Sequence, residues 1–283
     1  VAAPTFASSS FGSLDTGGIF FPASTGLTAV VGDVLIFQVL QDGTTSGAVS
    51  ISAFDTGIVE NLAGTDNTMD YLGEFAGGGL IQHLWIGRFI STTLPAFSGA
   101  NSTSQDVYMR FYRFADVNTG TTLADVIEQN GGTTPSEASG TSNTIADAGV
   151  ITTGVDRLAL NFVGVNDDNA VAAFTGMTGG TWAEAVAEYA SSTGTDGCIQ
   201  LQTAAMATAG TIDGGTYTMA ASDGWGAVGF ALIGTTPGVA VPRSPGIDSG
   251  NAHFAKAWQA MRKWKHGSHG IMVPDIMFAQ QGG

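Results

Sequence analysis

Apolar residues in this chain recur mostly at period two, in runs separated by short polar turns. That pattern predicts β-strands rather than helices. "DVLIFQVLQ" (33–41) is nearly continuous, with Val34, Ile36 and Gln38 on one face and Leu35, Phe37 and Val39 on the other. "AVSISAF" (48–54) alternates more cleanly. "LIQHLWIGRFI" (80–90) and "DVYMRFYRFA" (106–115) are rich in aromatic and β-branched residues, which suit a pleated, packed surface. "RLALNFVGV" (157–165), "GCIQLQTAAMA" (197–207), "GTYTMAA" (215–221) and "GWGAVGFALIG" (224–234) follow. Between them lie turn clusters: "QDGTTSG", "GTDNTMD", "NGGTTPSEASGTSN" and "NDDNA".

Strands without intervening helices predict an all-β fold, an antiparallel, jelly-roll-like β-sandwich over residues 1–236. One segment reads two ways. In "TWAEAVAEYASS" (181–192), Trp182, Glu184, Val186 and Glu188 share a strand face, yet the same residues make an Ala-rich helix. The flanking turns favour the strand.

After Thr236 the pattern changes. Residues 237–250, "PGVAVPRSPGIDSG", hold three prolines and three glycines, as an extended linker would. Residues 251–283 form a C-terminal arm. Within it, Phe254, Ala257, Trp258, Met261 and Trp264 fall on one side of a helical wheel, which predicts a helix over roughly 251–266. Asp248, Ser249 and Asn251 are available as caps, Lys265 and His266 sit at the cation-preferring end, and Gly267 suits the C′ position. "IMVPDIMF" (271–278) is apolar and broken by Pro274.

Composition agrees with many tight turns. Of 283 residues, 41 are Gly, about twice the usual share of roughly 7%. Charge sharpens the division between body and arm. Residues 1–242 hold four Lys/Arg against 22 Asp/Glu, a net −18; residues 243–283 hold five against two, a net +3. The acidic body should repel nucleic acid and anionic lipid, so neither nucleic acid nor membrane is expected as a direct partner. No apolar run approaches the length of a transmembrane helix. "VAAPTFASSS" has neither the basic n-region nor the apolar h-region of a signal peptide; a start at Val fits removal of an initiator Met or of a leader. The single cysteine, Cys198, rules out an intrachain disulfide and a Cys-based zinc site.

No G-x-S-x-G, H-E-x-x-H or phosphate-cradling glycine loop occurs, and the chain is not read as an enzyme. Only His83, of four histidines, lies in the body, where an aromatic strand makes it a hydrogen-bonded packing residue. Carboxylate pairs such as Glu184/Glu188 and Asp167/Asp168 are what a sandwich-fold glycan hydrolase would need, but 24 acids produce such pairs by chance. No cofactor is expected apart from a candidate Ca²⁺ ion. Asp66, Asn67, Asp70 and Glu74 crowd one turn, Asp167 and Asp168 another, and calcium takes six to eight oxygens. Asx-rich hairpin turns have the same composition without an ion. His253, His266 and His269 are too loosely spaced among glycines for a transition-metal site.

Read in order, "APTFASSS" with "VVGDVLIFQVL", "VYMRFYRFADVNTGTTL", "TIADAGVITTGVDRLALNFVGVNDD" and "WGAVGFALIGTTP" resemble the successive strands and turns of a jelly-roll-like module of tailed-phage virion proteins. The resemblance covers roughly residues 1–236 and excludes the arm. It implies a structural role on the particle surface, as a tail, fibre or capsid decoration component made in the host cytoplasm. The arm has three readings: packing on its own sandwich, reaching another copy or another virion protein, or binding an anionic surface. The linker and the charge division favour the second. Phe254, Trp258, Met261, Arg262, Lys263 and Trp264, with Ile276, Met277 and Phe278, are then the assembly contacts. An alternative is a receptor- or glycan-binding module that uses Tyr71, Trp182 and Trp225 beside Asx-rich turns to contact a host surface glycan or receptor.

Overall fold

The structure, a computed structural model, describes residues 2–14, 19–20, 26–43, 49–54, 59–66, 68–93, 97–101, 107–167, 169–186, 189–191 and 197–235. The strands are β1 (Thr5–Leu14), β2 (Ile19–Phe20), β3 (Val34–Asp42), β4 (Val49–Phe54), β5 (Val59–Glu60), β6 (Asp70–Gly77), β7 (Leu80–Phe89), β8 (Phe97–Asn101) and β9 (Val107–Ala115). They continue as β10 (Ile127–Glu128), β11 (Ser136–Ala146), β12 (Val150–Thr152), β13 (Arg157–Val165), β14 (Ala183–Glu184), β15 (Tyr189–Ser191), β16 (Gly197–Met206), β17 (Gly210–Ile212) and β18 (Thr216–Ile233).

All pairings between these strands are antiparallel. The first large sheet runs β1-β9-β3-β7, with β5 and β6 beside β7. The second runs β18-β13-β16, with β10 and β11 beside β18 and β14 and β15 beside β16. Two small sheets, β12-β17 and β2-β8-β4, complete the described architecture. The fold is thus the expected all-β antiparallel sandwich.

Its core has three layers. Between the large sheets, Val34, Ile36, Leu84, Ile86, Tyr112 and Phe114 meet Leu158, Leu160, Phe162, Leu201, Val228 and Phe230. On the other face of the first sheet, Leu35, Phe37, Val39, Trp85, Met109 and Phe111 form a second apolar layer. On the other face of the second, Ala159, Val163, Cys198, Ala204 and Ala231 pack under Val171, Phe174, Trp182 and Ile212. Strands β3, β7 and β13 are therefore buried on both faces, which is why β3 and β13 read as nearly continuous apolar runs and why the polar residues of β7, Gln82, His83 and Arg88, are themselves buried.

Polar side chains fasten the outer cover of the second sheet. Gln200 and Gln202 project from β16, and their amides donate to the carbonyls of Val171 and Ala172, the latter at 2.9 Å. Gln202 Oε1 accepts from the Phe174 amide at 3.0 Å. Buried amides are tolerated here because each bonds the segment laid over it.

Several expectations are corrected. The cluster "NGGTTPSEASGTSN" is not all turn: β11 begins at Ser136 and pairs with β18 along most of its length. Its Ser/Thr/Gly composition hides it, because pairing rather than apolar burial holds it. Residues 215–221 and 224–234 are one strand, not two. Gly224 serves close approach rather than a turn, since a Cβ there would lie 1.6 Å from the carbonyl oxygen of Gly78. The body also contains a helical turn, Leu123–Val126. Asp125 Oδ2 accepts from the Thr122 amide at 3.0 Å and from its hydroxyl at 2.6 Å, closing a capping box. The ambiguous segment 181–192 contributes β14 and β15, both paired with β16. The linker 237–250, the helix expected at 251–266 and the rest of the arm lie outside the described residues. No helix among the described residues is long and apolar enough to cross a membrane.

Candidate functional site

Beside β7, strand β6 places Tyr71 opposite Trp85 and Glu74 opposite His83. A register shift between Tyr71 and Gly73 marks a bulge, and Gly73 takes φ 149°, a conformation that favours glycine. The bulge leaves Tyr71 half exposed while His83 and Trp85 behind it are buried. The Tyr71 ring centroid lies 5.1 Å from that of Trp85 and 6.2 Å from that of His83. His83 and Trp85 stack at 5.7 Å. The Tyr71 oxygen is 2.9 Å from His83 Nδ1.

Burial pushes His83 down to about 4. Burial, helped by the Glu74 carboxylate, pushes Tyr71 up to about 12. At neutral pH the pair is a phenol bonded to an uncharged imidazole, and His83 Nε2 is buried without a protein partner. The arrangement presents an aromatic ring at a fixed angle beside an exposed carboxylate, Glu74. It suits contact with a ring-shaped ligand face. His83 is the hydrogen-bonded packing residue expected, but no local pattern marks it as the anchor of Tyr71.

The structure does not bring the three surface aromatics together. Trp182 is 2% exposed, and its Nε1 donates to Asp147 Oδ2 at 2.8 Å. Trp225 is 6% exposed and donates to Ser142 Oγ at 3.1 Å. Both indoles belong to the core over the second sheet, which corrects their reading as ligand contacts. Their proximity to polar turns misled: the turn after β11 supplies Asp147 as a buried acceptor for Trp182, and β11 itself supplies Ser142 for Trp225. Burial raises the Asp147 carboxyl above its usual range despite the Trp182 bond. No sequence signal connects Asp147 with Trp182.

The candidate calcium ligands are engaged by the protein's own donors. Asp66 Oδ1 accepts from the Thr68 amide at 3.0 Å and from the Thr68 hydroxyl, and these bonds hold its carboxyl below the usual range. Asp70 Oδ2 accepts from the Leu62 amide at 2.8 Å. The turn is thus closed by Asx-type bonds. Asn67 and Asp168 lie outside the described residues. Asp167 accepts from Asn169 Nδ2 at 2.9 Å and meets the carboxyl of Asp223, whose neighbourhood the sequence did not suggest. The Asn166 amide bonds the Gly224 carbonyl at 2.9 Å and brings the two segments together. Burial first, and Asp167 after it, raise Asp223 above the usual carboxyl range. Among the described residues, no three His, Cys, Asp or Glu side chains are grouped as metal ligands.

Of the carboxylate pair considered for glycan hydrolysis, Glu184 is exposed and accepts from the Ala173 amide at 3.0 Å, while Glu188 lies outside the described residues. The assembly residues Phe254, Trp258, Met261, Arg262, Lys263, Trp264, Ile276, Met277 and Phe278, and the histidines 253, 266 and 269, also lie outside them. No known protein family, curated protein or solved structure matches this chain.

Proposed function

We propose that this chain is a structural virion protein, with a jelly-roll-type sandwich as its exposed block and a C-terminal arm that fastens the block to its neighbours. The division of charge carries this reading: a net −18 over residues 1–242 is joined through a Pro/Gly-rich stretch to a net +3 over 243–283. A basic, aromatic segment is attracted to the acidic body of the next copy and gives specificity and rate to that encounter. The sandwich supports the reading because its layers are filled with side chains, as in a building block. The test is deletion of residues 245–283. The truncated chain should keep its β-sheet circular dichroism and cooperative melting but lose self-association in light scattering and incorporation into particles. Normal incorporation of the truncated chain overturns the proposal.

A second reading is favoured by one observation, the half-exposed Tyr71 ring held by His83 and Trp85. On this reading the body contacts a host surface glycan or receptor through Tyr71, with Glu74 available to accept from sugar hydroxyls. A broad glycan array probed with the full chain and with Tyr71→Ala tests it. Binding lost in the variant supports it, and silence of the full chain across the array counts against it.

A further inference from the structure

Gln38 on β3, Gln82 on β7 and Tyr112 on β9 meet between the two large sheets, all at 0% exposure. The Tyr112 hydroxyl donates to Gln38 Oε1 at 2.7 Å. Gln38 Nε2 donates to Gln82 Oε1 at 2.7 Å and to the Val163 carbonyl at 3.3 Å. The carbonyl can only accept, so it fixes which end of Gln38 is the amine. Gln82 must then offer its oxygen to Gln38 and turn its own Nε2 away. That nitrogen is buried and meets no acceptor in the protein.

Nε2 faces Gly226 on β18, where a Cβ would lie 3.2 Å from it. Gln82 and Gly226 line a recess of about 10 Å³ between β6 and the β11–β18 pair, together with Phe75, Gly77 and Ser139. Among the described residues, β6 pairs only with β7, so alternate backbone groups of β6 point away from that partner. The recess therefore combines a strong unused donor, main-chain groups of an edge strand and space for about one water-sized sphere.

We infer that this recess binds a single ordered water, which accepts from Gln82 Nε2 and donates to the edge of β6. The water completes a polar chain that runs Tyr112, Gln38, Gln82, water and β6, and it ties the interior of the sandwich to its rim. Gly226 keeps the place open. A recess of this size suits a single water, and the residues that line it all belong to the sandwich.

A high-resolution crystal structure of the full chain tests the inference. It should show one density peak about 2.7–3.2 Å from Gln82 Nε2 and within reach of a β6 main-chain group. In Gly226→Ala the peak should be missing. In solution, the Gln82 side-chain amide protons should show an exchange-independent cross-peak to water that Gly226→Ala loses. A wild-type map with no peak there, or with a protein acceptor on Nε2, overturns the site. If Gly226→Ala does not fold, the wild-type map and cross-peak decide alone.

Discussion

The phenol oxygen of Tyr71 sits 2.9 Å from Nδ1 of His83 across the β6–β7 pair, so a surface ring is anchored on a buried imidazole. Protonating His83 would place a charge in the apolar layer with Phe37, Val39 and Trp85 nearby. The group therefore stays neutral in the folded state, with a value near 4 against about 6.5 in the unfolded chain. The unfolded chain binds the extra proton as pH falls below about 6.5, so stability is complete above that pH and is lost progressively toward pH 4. This one group should contribute about 3 kcal/mol of that loss. Denaturant titrations of wild type and His83→Gln at pH 4, 5.5 and 7 check it. The variant should show a smaller acid-induced loss, and an unchanged loss would exclude His83 as its source.

Asp223 should show the opposite sign. Its carboxyl is raised in the folded state, so it contributes stability at low pH that disappears as pH rises through the raised value. Asp223→Asn removes the like-charge contact with Asp167 and should stabilise the protein at pH 7 by up to about 1 kcal/mol. The gain should shrink toward pH 4, which thermal melts at the two pH values can resolve.

Trp182→Phe keeps most of the apolar bulk but removes the N–H that bonds Asp147. Asp147 Oδ1 lacks a protein partner, so the variant leaves the carboxyl only the backbone amides of Gly214 and Gly215. The expected cost is about 1–3 kcal/mol at neutral pH, measured by chemical denaturation. Adding Asp147→Leu should recover part of it, because the orphaned charge is then gone.

Gly224 and Gly32 separate two reasons for a glycine. At Gly224 a methyl would collide with the Gly78 carbonyl, and neither backbone can yield without separating β18 from the β6–β7 turn. Gly224→Ala should therefore cost more than about 3 kcal/mol or abolish folding. Gly32 has open space around it but a φ of 92°, so Gly32→Ala should cost only about 1–2 kcal/mol. Melting temperatures of the two variants give the comparison directly.

The sequence by itself determined the strand class and the main strands. Val34, Ile36 and Gln38 share one face of β3 as period two requires, and the runs at 80–90, 106–115 and 157–165 became β7, β9 and β13. It also determined the charge division between body and arm. These features are local, since alternation and composition can be counted within a window. Only the tertiary structure decided the rest. Polar β11 is a strand because β18 lies beside it, Gly224 is a contact because Gly78 arrives there, Trp182 is a core residue because the turn after β11 brings Asp147 to its indole, and Trp225 is one because its ring lies against Gly140 of β11. Tyr71 was legible as a candidate contact from its neighbours in sequence, whereas its anchoring by His83 follows from a bulge and a strand register. A hydrogen bond between residues distant in sequence depends on register and sheet stacking, and neither leaves a periodic trace along the chain.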